Sequence, residues 1–291
     1  MKMRENLYQL FIGLILSLIA LSMVFPFIYV LAVSLTDASA YNGNSLNFWP
    51  KDWSLEAYKI IFTGEGFMDA LKSTVFITGI GTPLVVVVSC MFAYMLSKKT
   101  LPARKMMLTL ITFTLLFSPG LIPNYLLIKN LGLLDSLWAV ILVGSANAWT
   151  ILVMKSFFQS IPAELEESAK IDGCSDLGVF FKIILPLSKP MLAAFSLFTA
   201  VGYWNTYFNA IIYITDPSKW PLQVFLQQVV ISSNIGEFLS TGIQEVQQKV
   251  PVPTEVLQMA AVVVVTLPVI IVYPFLQKHF AKGVMIGSVK G

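Results

Sequence analysis

ELEESAKIDGCSDLGVFFKIILPLSKP occupies residues 164–190, between two long apolar segments. The stretch is charged at its start, glycine-punctuated in its middle and proline-ended. Pro162 suits the first turn of a helix, where a missing N–H costs nothing. Glu164, Glu166 and Glu167 then sit near the positive end of the helix dipole. Glu166 and Lys170 have the favourable i,i+4 order of a surface pair. Gly173 supplies the left-handed conformation that ends a helix. Ser175 is placed to cap a second helix carrying Leu177, Phe180, Phe181, Ile183 and Ile184. Pro186 is expected to end that run, because the residue before a proline disfavours helix. The expected result is a helix, a tight turn and a second short helix along a membrane surface. Its aromatic and aliphatic side chains need a groove, either on this chain's own helices or on a partner. By composition alone the stretch reads as an amphipathic interfacial loop.

The surrounding sequence supplies the membrane. The 291 residues are 56% hydrophobic and 12% charged, with mean hydropathy +0.76. A soluble domain is usually about 25% charged, so too little charge is present to cover a globule. The class is all-α integral membrane. The net charge of +3 comes without a basic stripe, which speaks against a nucleic-acid partner. Cys90 lies in an apolar run and Cys174 in the polar loop; they read as two unpaired thiols rather than a disulfide scaffold.

A membrane span needs about 20 mostly apolar residues. Six transmembrane helices are expected, at Leu10–Leu35, Thr74–Leu96, Met106–Ile128, Ser136–Met154, Met191–Ile214 and Val256–Gln277. Ala38-Ser39-Ala40 resembles a leader cleavage site, but the preceding apolar stretch is too long for a signal core, so the first helix is read as uncleaved. The N-terminus, the 97–105 and 155–190 loops and the C-terminal tail carry thirteen Lys and Arg; the alternate loops carry six. The excess of positive charge puts both termini and the 164–190 stretch in the cytoplasm. The expected organisation is one transmembrane domain over residues 1–291. Its first helix and external loop fill 1–72, and a five-helix core at 73–291 carries the 164–190 loop between spans 4 and 5.

No Asp, Glu, Lys or Arg falls inside the six expected cores. Intramembrane ionisable groups are the usual hardware of proton relays and ion coupling; their absence argues against a proton-driven transporter and suggests a route for an uncharged solute. No GxxxxGK[ST] phosphate loop occurs. If ATP drives transport, another chain binds the nucleotide. His279 is the only histidine and makes no metal constellation. No nucleophile–base pair or carboxylate dyad stands out, so the chain is not read as an enzyme.

The spacing Glu167-Ser168-Ala169, three residues, Gly173, nine residues, Ile183-x-Leu185-Pro186 resembles the EAA loop of ABC-importer permeases, departing at Ser168, where the family commonly has Ala. The resemblance implies a coupling helix that inserts into a cytoplasmic ATPase subunit. It implies Glu167, Ala169, Asp172 and Gly173 as the contact core, with Ser168, Phe180, Leu185 and Pro186 supporting it. Trp204-Asn205, Tyr207-Phe208-Asn209, Pro221-Leu222-Gln223 and the ending Gly287-Ser288-Val289-Lys290-Gly291 resemble the carbohydrate branch, similar to the smaller maltose-type permease subunit. That likeness implies a second permease subunit, two ATPase subunits holding ATP and Mg2+, an extracytoplasmic solute-binding protein, and a cell-membrane location. It also implies a tail around Lys290 reaching between the ATPase subunits, and a 215–255 loop facing the binding protein.

A stripe in the fifth span is the candidate lining of a saccharide path. Gly202, Asn205, Asn209 and Tyr213 recur in steps of three and four, which puts them on one helix face, flanked by Tyr203, Trp204 and Tyr207. Aromatic rings suit the C–H faces of sugars and amides suit their hydroxyls. The competing reading is helix–helix glue, with bonds of about 0.6 kcal/mol each. Asn147 and Trp149, in a run of small residues, read first as packing. Ser118-Pro119-Gly120 and Pro123 must bend or break the third span, and such a break is tolerated only inside protein or beside a wet cavity. The rival to an ATP-driven importer is an autonomous channel or facilitator for a small neutral solute.

Overall fold

The computed structural model describes residues 2–43, 48–50, 52–231 and 252–287, leaving aside the side chains of residues 2–7, Glu65 and residues 275–287. Regular structure among these residues is helical, apart from one antiparallel bridge between Thr36 and Trp53. The chain divides into two compact units, Met1–Met68 with Phe225–Pro268 and Asp69–Val224 with Val269–Gly291.

The first unit holds α1 (Lys2–Ser34), α2 (Glu56–Thr63) and the start of α3 (Glu65–Ser97). From Tyr8 to Ile28 every residue of α1 is exposed. A helix apolar all round belongs in lipid or against other protein. At its end the Ser34 hydroxyl and the Tyr58 hydroxyl share a 2.7 Å hydrogen bond.

The second unit holds the rest of α3, then α4 (Arg104–Leu116), α5 (Leu121–Asn130), α6 (Leu137–Val143), α7 (Ala148–Ser160), α8 (Ala163–Ile171), α9 (Asp176–Leu187), α10 (Lys189–Trp204) and α11 (Phe208–Tyr213). Helices α12 (Leu222–Ile231) and α13 (Thr254–Gly287) straddle the division. Among the described residues three helical stretches are long and apolar enough to cross a membrane: Tyr8–Ser34, Gly66–Ser97 and Thr254–Pro274.

The expected third, fourth and fifth spans are each interrupted. Helices α4 and α5 meet at 113°. Pro119 has no N–H to give, and Gly120 turns the chain at φ +85°, ψ −178°, open only to glycine. Pro123 then falls in the first turn of α5, where it is harmless. Helices α6 and α7 meet at 50°, because Asn147 Oδ1 accepts from the Thr150 N–H at 2.9 Å and starts a new helix. The fifth span ends at Trp204. Asn205 Nδ2 donates to the Val201 carbonyl at 2.9 Å, a local bond that competes with helix continuation, and α11 begins only at Phe208. The expected one-face stripe from Gly202 to Tyr213 is therefore not a single helix face.

Helix α3 organises the second unit by its two ends. At one end Leu222 N–H donates to Thr74 Oγ1 at 2.7 Å, and Phe76 meets Trp138 edge-on at 6.0 Å. At the other, Arg104 Nε donates to the Leu96 carbonyl at 2.8 Å and Gln159 Nε2 to the Ser97 carbonyl at 3.4 Å. Thr74 and Lys98 are separated by roughly 36 Å of helix rise. The chain after α11 thus gathers at one end of α3, and the loop before α4 and the end of α7 gather at the other.

Candidate functional site

The 164–190 stretch packs on the Lys98 end of α3. Helix α8 runs from Pro162 with Glu164 and Glu166 in its first turn. It ends in a paired motif in which Cys174 N–H donates to the Ala169 carbonyl (2.9 Å) and Gly173 N–H to the Lys170 carbonyl (3.0 Å). Gly173 takes the left-handed conformation at φ +82°, as its position predicts. Ser175 Oγ caps α9 by accepting from Gly178 N–H at 3.2 Å. Gly178 lies close to the turn: a Cβ there would stand 2.6 Å from Cys174 Sγ, which would have to rotate away.

Two local expectations fail. Pro186 does not end the second helix, which runs to Leu187 and bends 77° at Ser188. A wide π-type turn at Phe180–Ile184 shifts the carbonyls that the proline ring would otherwise strike. The Glu166–Lys170 pair does not form either. Glu166 pairs with Lys98 at the end of α3, and Lys170 pairs with Asp176 across the turn at 2.7 Å. The Lys170 hydrogen bond and charge hold the Asp176 carboxyl below its usual range, and Asp176 in return raises Lys170.

The knuckle has two faces. Ala169, Val179, Phe180 and Ile184 are buried with Cys90, Ala93, Leu96, Met154 and Phe158. That inner face is the groove on the chain's own helices. Glu167, Ser168, Asp172, Gly173 and Pro186 are exposed, and Leu185 is half-buried. Exposed beside them are Ile171 (86%), Leu177 (71%) and Phe181 (62%). Of the residues singled out in the sequence, Ala169 and Phe180 thus face inward, and the outward apolar groups are Ile171, Leu177 and Phe181. Helical spacing separates the two sets once Gly173 has fixed the turn.

A cavity of about 360 Å³ lies among α3, α6, α7, α10 and α11. Its walls carry Asn147, Trp149, Thr150, Phe195, Phe198, Thr199, Gly202, Tyr203, Thr206 and Asn209, with Val85, Val140 and Gly144. Among the described residues no charged side chain lines it. Trp149 tilts against Phe195 at 5.8 Å. The predicted path residues are divided by this geometry. Tyr203 and Asn209 line the cavity. Asn205 instead accepts from Gln223 Nε2 at 2.9 Å, Tyr207 packs on the core around Tyr203, and Tyr213 is buried parallel to Tyr125 at 6.4 Å. Trp204 is half-buried and lies outside the lining. Asn147 and Trp149, which read first as packing, stand on the wall. Thr150, Phe195, Phe198, Thr199 and Thr206 carried no sequence signal, since the breaks at Asn147 and Asn205 that shape this wall are not encoded in periodicity.

Tyr203 is also a strut. Its ring lies where a Cβ on Gly81 would be 2.7 Å from Cε2, and its Oη donates to the Ile141 carbonyl at 2.8 Å beside the α6–α7 break. Near the Thr74 end of α3, Asp135 holds a positive φ of 56°. Its Oδ1 accepts from the Thr215 N–H (2.6 Å), the Thr215 hydroxyl (2.7 Å) and the Asp216 N–H (3.1 Å). The hydroxyl bond, then the two amides, hold the Asp135 carboxyl below its usual range. The clamp ties the entry of α6 to the exit of α11. Of the 215–255 loop, residues 232–251 lie outside the described residues, as do Ser288–Gly291 of the tail and the side chain of His279.

Apolar helices, several of them broken, and a cavity lined by uncharged side chains are consistent with an integral membrane permease. The family described as the binding-protein-dependent transport system inner membrane component matches residues 60–286, and the chain belongs to it. It is 47% identical over 289 residues to the polygalacturonan/rhamnogalacturonan transport system permease protein YtcP of Bacillus subtilis, covering 99% of this chain and 100% of that one. It is 31% identical over 309 residues to the galactooligosaccharides transport system permease protein GanQ of the same organism, covering 100% and 99%. Among solved structures it resembles a chain of a bacterial ABC transporter that imports the acidic polysaccharide alginate, with TM-score 0.88 at 31% identity over 95% of this chain and 97% of that one.

Proposed function

We propose that the chain is one translocating half of an ATP-driven importer for a sugar, most simply an oligosaccharide. The observation that carries this reading is the outer face of the knuckle. Ile171, Leu177 and Phe181 are held out on a short, glycine-turned helix pair whose inner face is packed on the ends of α3 and α7. Large apolar groups so displayed suit a protein–protein or a membrane contact; the charged and glycine positions among them favour a protein partner, and the family is a transport-system component. Glu167, Ser168, Asp172 and Gly173 lie exposed among them, and Ala169, Phe180, Leu185 and Pro186 shape the platform. The partner is a cytoplasmic ATPase subunit, which holds ATP and Mg2+; the chain itself hydrolyses nothing.

Six crossings follow if each bent pair counts as one, and the excess of Lys and Arg at the termini and in the 97–105 and 155–190 loops supports a single permease domain over residues 1–291 with both termini in the cytoplasm. The exposed break at Phe117–Gly120 supports a second permease subunit, because broken backbone at membrane depth must be covered by protein or face water. Lipid covers the remaining apolar surface. An extracytoplasmic binding protein delivers the solute to the Asp135–Thr215 end. The cavity supports a saccharide cargo, with Trp149 and Tyr203 for C–H faces and Asn147, Asn209 and Thr150 for hydroxyls. ATP binding closes the ATPase pair and draws the knuckles together, opening the halves outward; hydrolysis resets them. The test is purification from the native membrane, followed by uptake in proteoliposomes. ATPase subunits are expected to copurify, and uptake is expected only when they and ATP are present. Flux through the chain alone would instead identify an autonomous channel.

A further inference from the structure

We propose that Lys98 and Glu166 form the joint that makes the 164–190 knuckle move as one body with α3, and so are positioning residues for coupling. The inference rests on the reading that the knuckle engages an ATPase.

Among the described residues the pair differs from the other ion pair of this end of the second unit. Lys98 Nζ meets Glu166 Oε2 with only 29% and 22% of the two side chains exposed. The neighbouring Lys170–Asp176 pair leaves 52% and 80% exposed and is a solvated surface contact. Lys98 also lies over the Tyr94 ring, 4.1 Å from its centroid. Tyr94 in turn packs on Phe180 at 4.7 Å and on Phe158 at 5.8 Å. The cation is therefore seated where α3, α7 and both helices of the knuckle meet.

Its neighbours leave Lys98 free for this task. A helix C-terminus attracts a cation, but Arg104 Nε already serves the Leu96 carbonyl and Gln159 the Ser97 carbonyl. Lys98 can therefore reach sideways to α8. Among the described residues the other close contacts between the knuckle and α3 are apolar surfaces and ring stacks, which resist separation better than sliding, with the Lys98 charge acting on Asp176 only at longer range. A directional, partly buried ion pair fixes register, the best-attested use of such pairs. Lys98 directly follows α3, and twelve residues back along that helix from Ser97, Val85 lines the cavity. A displacement of the knuckle is thereby delivered to a wall of the solute path.

The test uses the complete transporter, with partner permease and ATPase subunits, carrying Lys98→Glu, Glu166→Lys or both. Solute uptake, ATP hydrolysis and retained ATPase subunits are measured together. Each single reversal is expected to retain the ATPase and to lower uptake per ATP hydrolysed by about fivefold or more. The double reversal is expected to recover that ratio to within about threefold, the remainder reflecting a cation at the start of α8. A ratio unchanged in the single variants, or a double variant as poor as the singles, overturns the joint. If the reversals fail to fold, Lys98→Met with Glu166→Gln keeps the packing without the charges; a normal uptake ratio there overturns the joint equally. Wild-type protein purifying without ATPase subunits would instead refute the knuckle reading itself.

Discussion

Tyr203 touches two glycines in different ways, and substitution at both separates its roles. A Cβ on Gly144 would stand 3.0 Å from Tyr203 Oη, while Cε1 and Cζ would be at an ordinary 3.5 Å. A Cβ on Gly81 would stand 2.7, 2.8 and 3.0 Å from ring carbons. Gly144 has φ −91°, which alanine adopts freely. Tyr203→Phe removes the bond to the Ile141 carbonyl, worth about 0.6 kcal/mol on average between membrane helices and up to about 1.7. Gly144→Ala alone costs about 1 kcal/mol, the low end of overpacking, because a single oxygen must yield. In the double variant that oxygen is gone, so the total is expected to be close to Tyr203→Phe alone, a favourable interaction energy of about 1 kcal/mol. Gly81→Ala costs about 1–3 kcal/mol, offset by up to about 1 kcal/mol of helix propensity. Tyr203→Phe does not relieve it, since phenylalanine keeps every carbon involved. The assay is reversible unfolding of the detergent-solubilised chain by SDS titration, wild type against the five variants. Equal relief at both glycines, or none at Gly144, would refute the account of Tyr203 as a strut hydrogen-bonded at the helix break.

Asp135→Ala removes the acceptor shared by Thr215 and Asp216 and puts alanine at positive φ; Asp135→Asn keeps an oxygen and tolerates that conformation. Faster amide hydrogen exchange at residues 215–216 is expected in the order Ala, then Asn, then wild type, and unchanged protection in the alanine variant would contradict the clamp. Asp135 is depressed in the folded chain, so its contribution is present above the unfolded value of about 3.9 and fades as pH falls through the lower folded value. Corrected for the intrinsic pH dependence of amide exchange, protection at residues 215–216 should therefore fall only below about pH 4. The Lys170–Asp176 pair has the same acid limit, and at the alkaline side its lysine, being raised, holds until pH passes the folded value above about 10.4. Pair-dependent chemical shifts of Asp176 flat across the neutral range would agree with this, and a midpoint near neutrality would not. Gly173→Val forces a β-branched residue to φ +82° at about 1–2 kcal/mol, yet its Cβ meets no atom within 4 Å. Membrane insertion should survive while ATP-driven uptake falls sharply; normal uptake would count against the knuckle's role.

The sequence by itself determined the class and the local grammar. Low charge and long apolar runs required a bilayer, because no globule could be covered by so few polar groups. Gly173 and Ser175 announced the turn and the cap of the knuckle, since φ and hydroxyl geometry are properties of single residues. Pro119-Gly120 announced the α4–α5 break for the same reason. Tertiary structure decided which side chains share a site. The breaks at Asn147 and Asn205 depend on side-chain bonds to local backbone that periodicity does not encode, and they moved Trp149 and Thr150 onto a cavity wall while removing Asn205 and Tyr213 from it. Partner choice was tertiary as well. Glu166 had a good helical neighbour in Lys170, yet it pairs with Lys98, 68 residues away, because packing α8 on the end of α3 brings that cation to it in a half-buried place where charge attracts more strongly than on an open helix surface.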